Sequence, residues 1–193
     1  MRTAAALIAL GVGWAMAGCE RQEPPLLKYW AIPDFTLTER SGKPFGLADL
    51  EDRVWLADFF FTTCPGTCPM LSSRLSEIHR ELGPEPDARF VSISTDPEKD
   101  TPEVLRQYAQ RFGADDRWFF LTGAKDAIWA LSRDGFKLAV AENPGAPEPI
   151  THSTKLVLVD RKGMVRGFYE GVGGEGAERI VRDMRRLLKE PAR

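Results

Sequence analysis

Val54-Trp55-Leu56-Ala57-Asp58-Phe59-Phe60-Phe61-Thr62-Thr63-Cys64-Pro65-Gly66-Thr67-Cys68-Pro69 is the stretch whose reading decides the fold. Residues 54–61 are apolar except for Asp58, the pattern of a central strand buried on both faces. The run gives way to a loop over 64–69 that carries both cysteines. Beyond it, Leu71, Leu75, Ile78 and Leu82 recur at helical spacing, and Gly83-Pro84 ends the helix predicted over 69–82. This handover puts the cysteines at the C-terminal end of a strand, where the sites of α/β sheets gather.

The flanking sequence supplies the rest of the sheet. Upstream, Phe35-Thr36-Leu37-Thr38 alternates as a half-buried strand, Ser41-Gly42 turns it, and Phe45-Gly46-Leu47 returns. Downstream, a strand is predicted over 90–94. A helix then starts at Thr101-Pro102, with proline at its first position, and stops at Gly113. A third helix is predicted over 125–133, then strands over 136–140, 155–160 and 165–169, and a final amphipathic helix over 176–189. This order predicts an α/β, thioredoxin-like sandwich: a mixed central sheet flanked by helices, with an N-terminal strand hairpin.

Three segments follow from the composition of the chain. Residues 1–18 combine Arg2, an apolar run over 3–16 and the small residues Ala17 and Gly18, the pattern of an export signal. Met16-Ala17-Gly18-Cys19 resembles a lipobox, in which Cys19 is lipidated and becomes the new N-terminus; an uncleaved anchor or a soluble exported form are the alternatives. Residues 19–33 read as the lipidated cysteine and a tether containing Pro24-Pro25, and residues 34–193 as the domain. The expected location is the cell membrane, as a lipoprotein whose domain faces the periplasm or the cell exterior. A net charge of −2 gives no reason to expect a nucleic-acid partner.

Setting Cys19 aside leaves Cys64 and Cys68 as the only cysteines of the domain. Their spacing of four brings them to one face of a helical turn, roughly 5–6 Å apart at Cβ. There they can hold a metal ion together or close as a disulfide. A neighbouring helix N-terminus should favour the thiolates. Of the two histidines, His79 reads as a surface or boundary residue of the first helix. His152, in Ile150-Thr151-His152-Ser153, precedes a strand in the segment that faces the cysteine loop in a thioredoxin-like order. Two sulfurs and one imidazole form a soft set that suits copper, as Cu(I) and also Cu(II), one ion per chain. A structural zinc site would need a fourth ligand. The segment 141–151, rich in Pro and Gly, is expected to move and to bring His152 to the cysteines when copper binds.

These residues resemble the Sco/SenC copper-binding proteins of cytochrome oxidase assembly. The resemblance runs over about residues 33–189. It rests on Phe60-Phe61-Thr62-Thr63-Cys64-Pro65 with Cys68-Pro69, on Ser94-Thr95-Asp96-Pro97-Glu98-Lys99-Asp100-Thr101-Pro102, and on His152-Ser153. It implies a metallochaperone rather than an enzyme, with Cys64, Cys68 and His152 as metal ligands. The implied role is to deliver copper to the binuclear copper centre of cytochrome c oxidase subunit II, or to reduce the cysteines of that centre. Another exported copper protein is an alternative recipient, and other copper chaperones or thiol reductases are further expected partners. The family commonly carries Asp where this chain has Gly66 and Thr151. Both replacements remove negative charge beside the ligand set.

Other readings compete. Closing so short a loop as Cys64–Cys68 removes little chain entropy, so a purely structural disulfide would stabilise weakly. The serious rival is an exported thiol–disulfide oxidoreductase using the pair without obligatory metal. Asp100 reads as support for the following helix start. Asp96 reads as a turn former, with outer-sphere tuning of the site as its functional alternative. On the last helix, Arg179, Arg182, Arg185, Arg186 and Lys189 oppose an apolar face. They read as a solvated surface, with contact to anionic lipid or an acidic partner as the lesser alternative.

Overall fold

A computed structural model describes residues 24–146, 149–174 and 176–192 of the chain. The signal and lipobox readings of residues 1–19 lie outside the described residues. The hairpin is present: Thr36–Glu39 (β1) pairs antiparallel with Pro44–Gly46 (β2), followed by a 3-10 turn over Leu47–Leu50. Val54–Phe60 (β3) leads into Thr67–Leu82 (α1), Ala88–Ser94 (β4), Pro102–Arg111 (α2) and Trp118–Thr122 (β5). Lys125–Ala130 (α3) continues as a π turn over Leu131–Gly135. The chain ends with Val140–Glu142 (β6), Ile150–His152 (β7), Lys155–Val159 (β8), Val165–Glu170 (β9) and Ala177–Leu188 (α4).

Among the described residues, one seven-stranded sheet runs β2-β1-β5-β4-β3-β8-β9, and β6 and β7 form a separate pair. The strands β3, β4 and β5 are parallel, and the flanking strands pair antiparallel, so the sheet is mixed as predicted. All seven residues of β3 are buried. Alternation sends Val54, Leu56 and Phe60 to the face covered by α1, α2 and α4, and Trp55, Ala57 and Phe59 to the face covered by α3 and Phe136. Burial of the larger of these side chains stabilises by roughly 1.5–3 kcal/mol each.

Four features depart from the sequence reading. First, α1 begins at Thr67 rather than 69, because the first helical N–H groups have no intrahelical partner and Pro69 can occupy the first turn. Second, the strand predicted over 136–140 is absent: Lys137 has φ +57° and the Leu138 N–H bonds back to Ser132. Extended backbone starts at Val140. Third, an aromatic-rich strand, Trp118–Thr122, lies between two helices where the sequence reading places no element. Fourth, the described part of the tether lies against the domain. Ile32 is buried, its N–H bonds to Gly163, Tyr29 and Trp30 exchange backbone bonds with Val165, and Trp30 Nε1 donates to the Gly135 carbonyl.

Asp58 interrupts the apolar strand and is itself buried. Its Oδ1 accepts from Ser92 Oγ at 2.5 Å, and Ser92 Oγ accepts from Trp118 Nε1 at 2.9 Å, but Oδ2 has no partner. Burial pushes this carboxyl up to about 7, against the opposing pull of the Ser92 bond. A folded-state value above the unfolded one means that the stability tied to this group is fully present below about pH 3.8. It is lost as the pH rises to about 7, and the loss is constant above that. Asp58→Asn should therefore gain on the wild type by on the order of 4 kcal/mol between those limits, as read from urea unfolding across pH. Parallel pH profiles for the two proteins would show that the carboxyl is not perturbed.

Candidate metal centre

The end of β3 is locked to the end of β4 before the cysteines begin. Thr95 N–H and Oγ1 both donate to the Phe60 carbonyl, at 2.7 and 3.1 Å. The fully buried Asp100 carboxylate accepts from the Thr62 N–H at 3.0 Å, from Thr62 Oγ1, and from Ser94 Oγ at 2.5 Å. Burial raises the Asp100 pKa despite these three donors. The expected helix support comes instead from the next residue: Thr101 Oγ1 accepts from the Val104 N–H at 3.4 Å. Asp100 thus holds the entrance of the cysteine loop, a role invisible in the sequence because the contact spans 38 residues.

From that entrance the chain turns through Cys64 into α1, and both cysteines are buried and not joined as a disulfide. Cys68 sits in the first turn, where its N–H is directed at Cys64 Sγ at 3.5 Å. His152, the last residue of β7, is held in register opposite Val140, and the Ser153 N–H bonds to the Ala139 carbonyl. Its Nε2 lies 3.2 Å from Cys68 Sγ and its Nδ1 3.0 Å from the Ser153 carbonyl, with the Phe61 ring set edge-on at 5.7 Å. A carbonyl can only accept, so Nδ1 carries a proton, and in the neutral ring Nε2 then presents its lone pair to the sulfur. The imidazole stands beside Cys68, at the end of a segment whose two ends β6 and β7 pair.

Burial is the leading influence on the Cys68 thiol and pushes it up, with the neighbouring Cys64 adding to the effect. The helix N-terminus alone does not make this sulfur a thiolate. Metal bonds of about 2.0 Å to nitrogen and 2.3 Å to sulfur, as zinc makes them, would set the two ligand atoms roughly 3.5 Å apart. The observed 3.2 Å between Cys68 Sγ and His152 Nε2 is close to that. Among the described residues no three His, Cys, Asp or Glu side chains are already gathered around one point. The donor chemistry, two sulfurs and a neutral imidazole with its outer nitrogen anchored, nevertheless fits a soft ion.

Asp96 is buried, and its carboxylate lies 3.1 Å from Lys99 Nζ while its N–H bonds Ser94 Oγ. The contacts it makes belong to the turn after β4. His79 lies near the other end of α1, its Nε2 3.0 Å from Asp115 Oδ1 and packed against Phe90 and Trp118.

A mixed sheet whose central strand delivers a Cys-x3-Cys turn to a facing histidine defines a thioredoxin-like protein with a thiol–imidazole site. The SCO1/SenC family profile matches residues 26–189, and the chain belongs to that family. A SCO1/SenC family lipoprotein of Bacillus anthracis shares 36% identity and superimposes with a TM-score of 0.78, over 83% of this chain and 96% of that one. BsSco, described as a member of the Sco family of cytochrome c oxidase assembly proteins with a disulfide switch, is 31% identical. Its TM-score is 0.77, over 89% of this chain and 100% of the other. ScoI of Bradyrhizobium japonicum, solved with copper bound, is 25% identical with a TM-score of 0.71, over 82% and 100% of the two chains.

Removing the Asp100 clamp tests its hold on the loop. Asp100→Ala leaves two part-buried donors on Thr62 and a buried one on Ser94 short of their acceptor, and should cost roughly 2–4 kcal/mol in denaturant unfolding. Hydrogen exchange of the Thr62 amide should accelerate as well. An unchanged midpoint and unchanged exchange would show that the loop is held by something else.

Proposed function

We propose that the chain is a copper-binding metallochaperone of an exported membrane compartment. In this reading it delivers copper to the binuclear copper centre of cytochrome c oxidase subunit II, or reduces the cysteines of that centre; another exported copper protein is the alternative recipient. Cys64, Cys68 and His152 would hold one copper ion, and a lipidated Cys19 would hold the chain at the membrane. The observation that carries the proposal is the approach of His152 Nε2 to Cys68 Sγ at 3.2 Å, with the histidine tautomer set by the Ser153 carbonyl. Membership of the SCO1/SenC family and the copper found in the Bradyrhizobium relative support it.

Thiol–disulfide exchange is a second reading, favoured by the two sulfurs meeting across one helical turn and by the disulfide switch described for BsSco. Reduction of a partner's disulfide would convert the Cys64 and Cys68 thiols to one disulfide, passing two electrons and two protons to the partner. The two readings exclude each other in time: sulfurs joined to one another cannot both serve the metal.

The reduced, detergent-extracted chain should bind one copper per molecule by metal analysis and competition titration. Cys64→Ser, Cys68→Ser and His152→Ala should each weaken binding by more than the roughly 10–100-fold that loss of an outer-shell contact costs. His79→Ala should leave binding unchanged, and oxidation to the disulfide should release the ion. Full affinity in the His152→Ala protein would refute the three-ligand site.

A further inference from the structure

The pair β6–β7 stands apart from the seven-stranded sheet, and each of its strands has three residues. A two-stranded hairpin of that size is marginal in water on its own, so His152 is only as well placed as the supports of the pair. Val140 and Ile150 give one support by packing into the core cluster that holds Cys64, Cys68 and Leu71. Two more come from α3 and its π turn. Two residues before β6, the Leu138 N–H donates to the Ser132 carbonyl at 2.9 Å, and the buried Ser132 Oγ donates to the Leu138 carbonyl at 3.2 Å. At the far end of β6, Lys125 Nζ donates to Glu142 Oε1 at 2.6 Å.

The same stretch of helix is fixed to the cysteine side of the molecule. Trp129, half-buried, donates from Nε1 to the Thr95 carbonyl at 3.0 Å. Thr95 is the residue whose N–H and Oγ1 hold the Phe60 carbonyl, where the cysteine loop departs. Lys125 lies four residues before Trp129, on the same face of α3, with its Nζ 4.9 Å from the centre of the indole ring. A continuous path therefore runs from the Phe60 carbonyl through Thr95 to Trp129. From there it reaches the histidine hairpin twice, through Lys125 to Glu142 and through Ser132 to Leu138.

Resting on the copper reading above, we propose that Trp129 and Ser132 are positioning residues of the metal centre. In this proposal α3 and its π turn form a bracket that holds the hairpin, and with it His152 Nε2, against the cysteine end of β3. Residues that orient a metal ligand are worth roughly 10–100-fold in affinity when removed. Trp129→Phe keeps an aromatic ring and removes the donor to Thr95. Ser132→Ala removes the donor to the Leu138 carbonyl and leaves the backbone bond in place.

The reduced, detergent-extracted full chain and its variants test this by copper competition titration, X-ray absorption at the copper edge, and amide hydrogen exchange of the metal-free form. Trp129→Phe and Ser132→Ala should each weaken copper binding by on the order of 10-fold, with the imidazole contribution diminished and both sulfurs kept. The Ser153 amide, bonded to the Ala139 carbonyl, should exchange several-fold faster in both, with the Leu56 amide in the middle of β3 unchanged. If these substitutions unfold the chain, Glu142→Gln decides. Its side chain is 58% exposed, and the Ser153 amide should still exchange faster, by a smaller factor because exposed ion pairs are weak; no change there overturns the proposal. Wild-type affinity in the folded Trp129 and Ser132 variants, with His152→Ala still weakened, overturns the bracket alone. Wild-type affinity in His152→Ala overturns the three-ligand reading and this proposal with it. Faster exchange shared equally by Leu56 would show a contribution to overall stability, which also overturns a positioning role.

Discussion

The burial of β3 on both faces is the constraint from which the rest follows. Every side chain of Val54–Phe60 is shielded from water, so the strand has to run through the middle of the sheet between β4 and β8, with helices over both faces. Its last residue then lies inside the molecule, and the chain can leave only along a path shared with the end of β4. The Phe60 carbonyl bound by Thr95, and Thr62 bound by Asp100, are that path. The cysteine loop is rigid at its entrance for this reason, and α1 starts where the loop releases it.

At the cysteines two electrostatic influences oppose each other. A helix N-terminus presents N–H groups that favour a thiolate, and the Cys68 N–H is directed at Cys64 Sγ. Burial of Cys68 acts in the other direction and dominates for that sulfur. The protonated thiol can instead donate to His152 Nε2, whose other nitrogen is committed to the Ser153 carbonyl. A soft cation placed between the same two atoms would take over the proton's position and supply the positive charge that a buried thiolate requires. The proposed site is in this sense suited to the exchange of a proton for a metal ion.

Much of this was legible in the chain. The unbroken apolar run marks β3, the four-residue leucine and isoleucine spacing marks α1, and Thr101-Pro102 marks α2, since each is a local pattern with a local cause. The candidate trio could be picked out because the domain offers only two cysteines and two histidines. What stayed hidden depends on distant partners. The strand β7, three residues long, has no periodicity to read, and it is pairing with Val140–Glu142 that makes it a strand. Lys137 turns the backbone within a segment that alternates like a strand. Asp100 reads as part of the helix start at Pro102, although its partners are Thr62 and Ser94. The Pro24-Pro25 segment reads as a tether, yet beyond it Val165 both accepts from Tyr29 and donates to Trp30, and the Gly163 carbonyl accepts from Ile32.

The central claim is that one copper ion is held by two sulfurs and the His152 nitrogen. X-ray absorption at the copper edge of the reduced, copper-loaded chain measures that coordination directly, with the His152→Ala protein as its comparison. The result expected is two sulfur scatterers and one imidazole, the imidazole signature disappearing in the variant. A sphere made of sulfur alone, or an imidazole signal that survives the loss of His152, would contradict it.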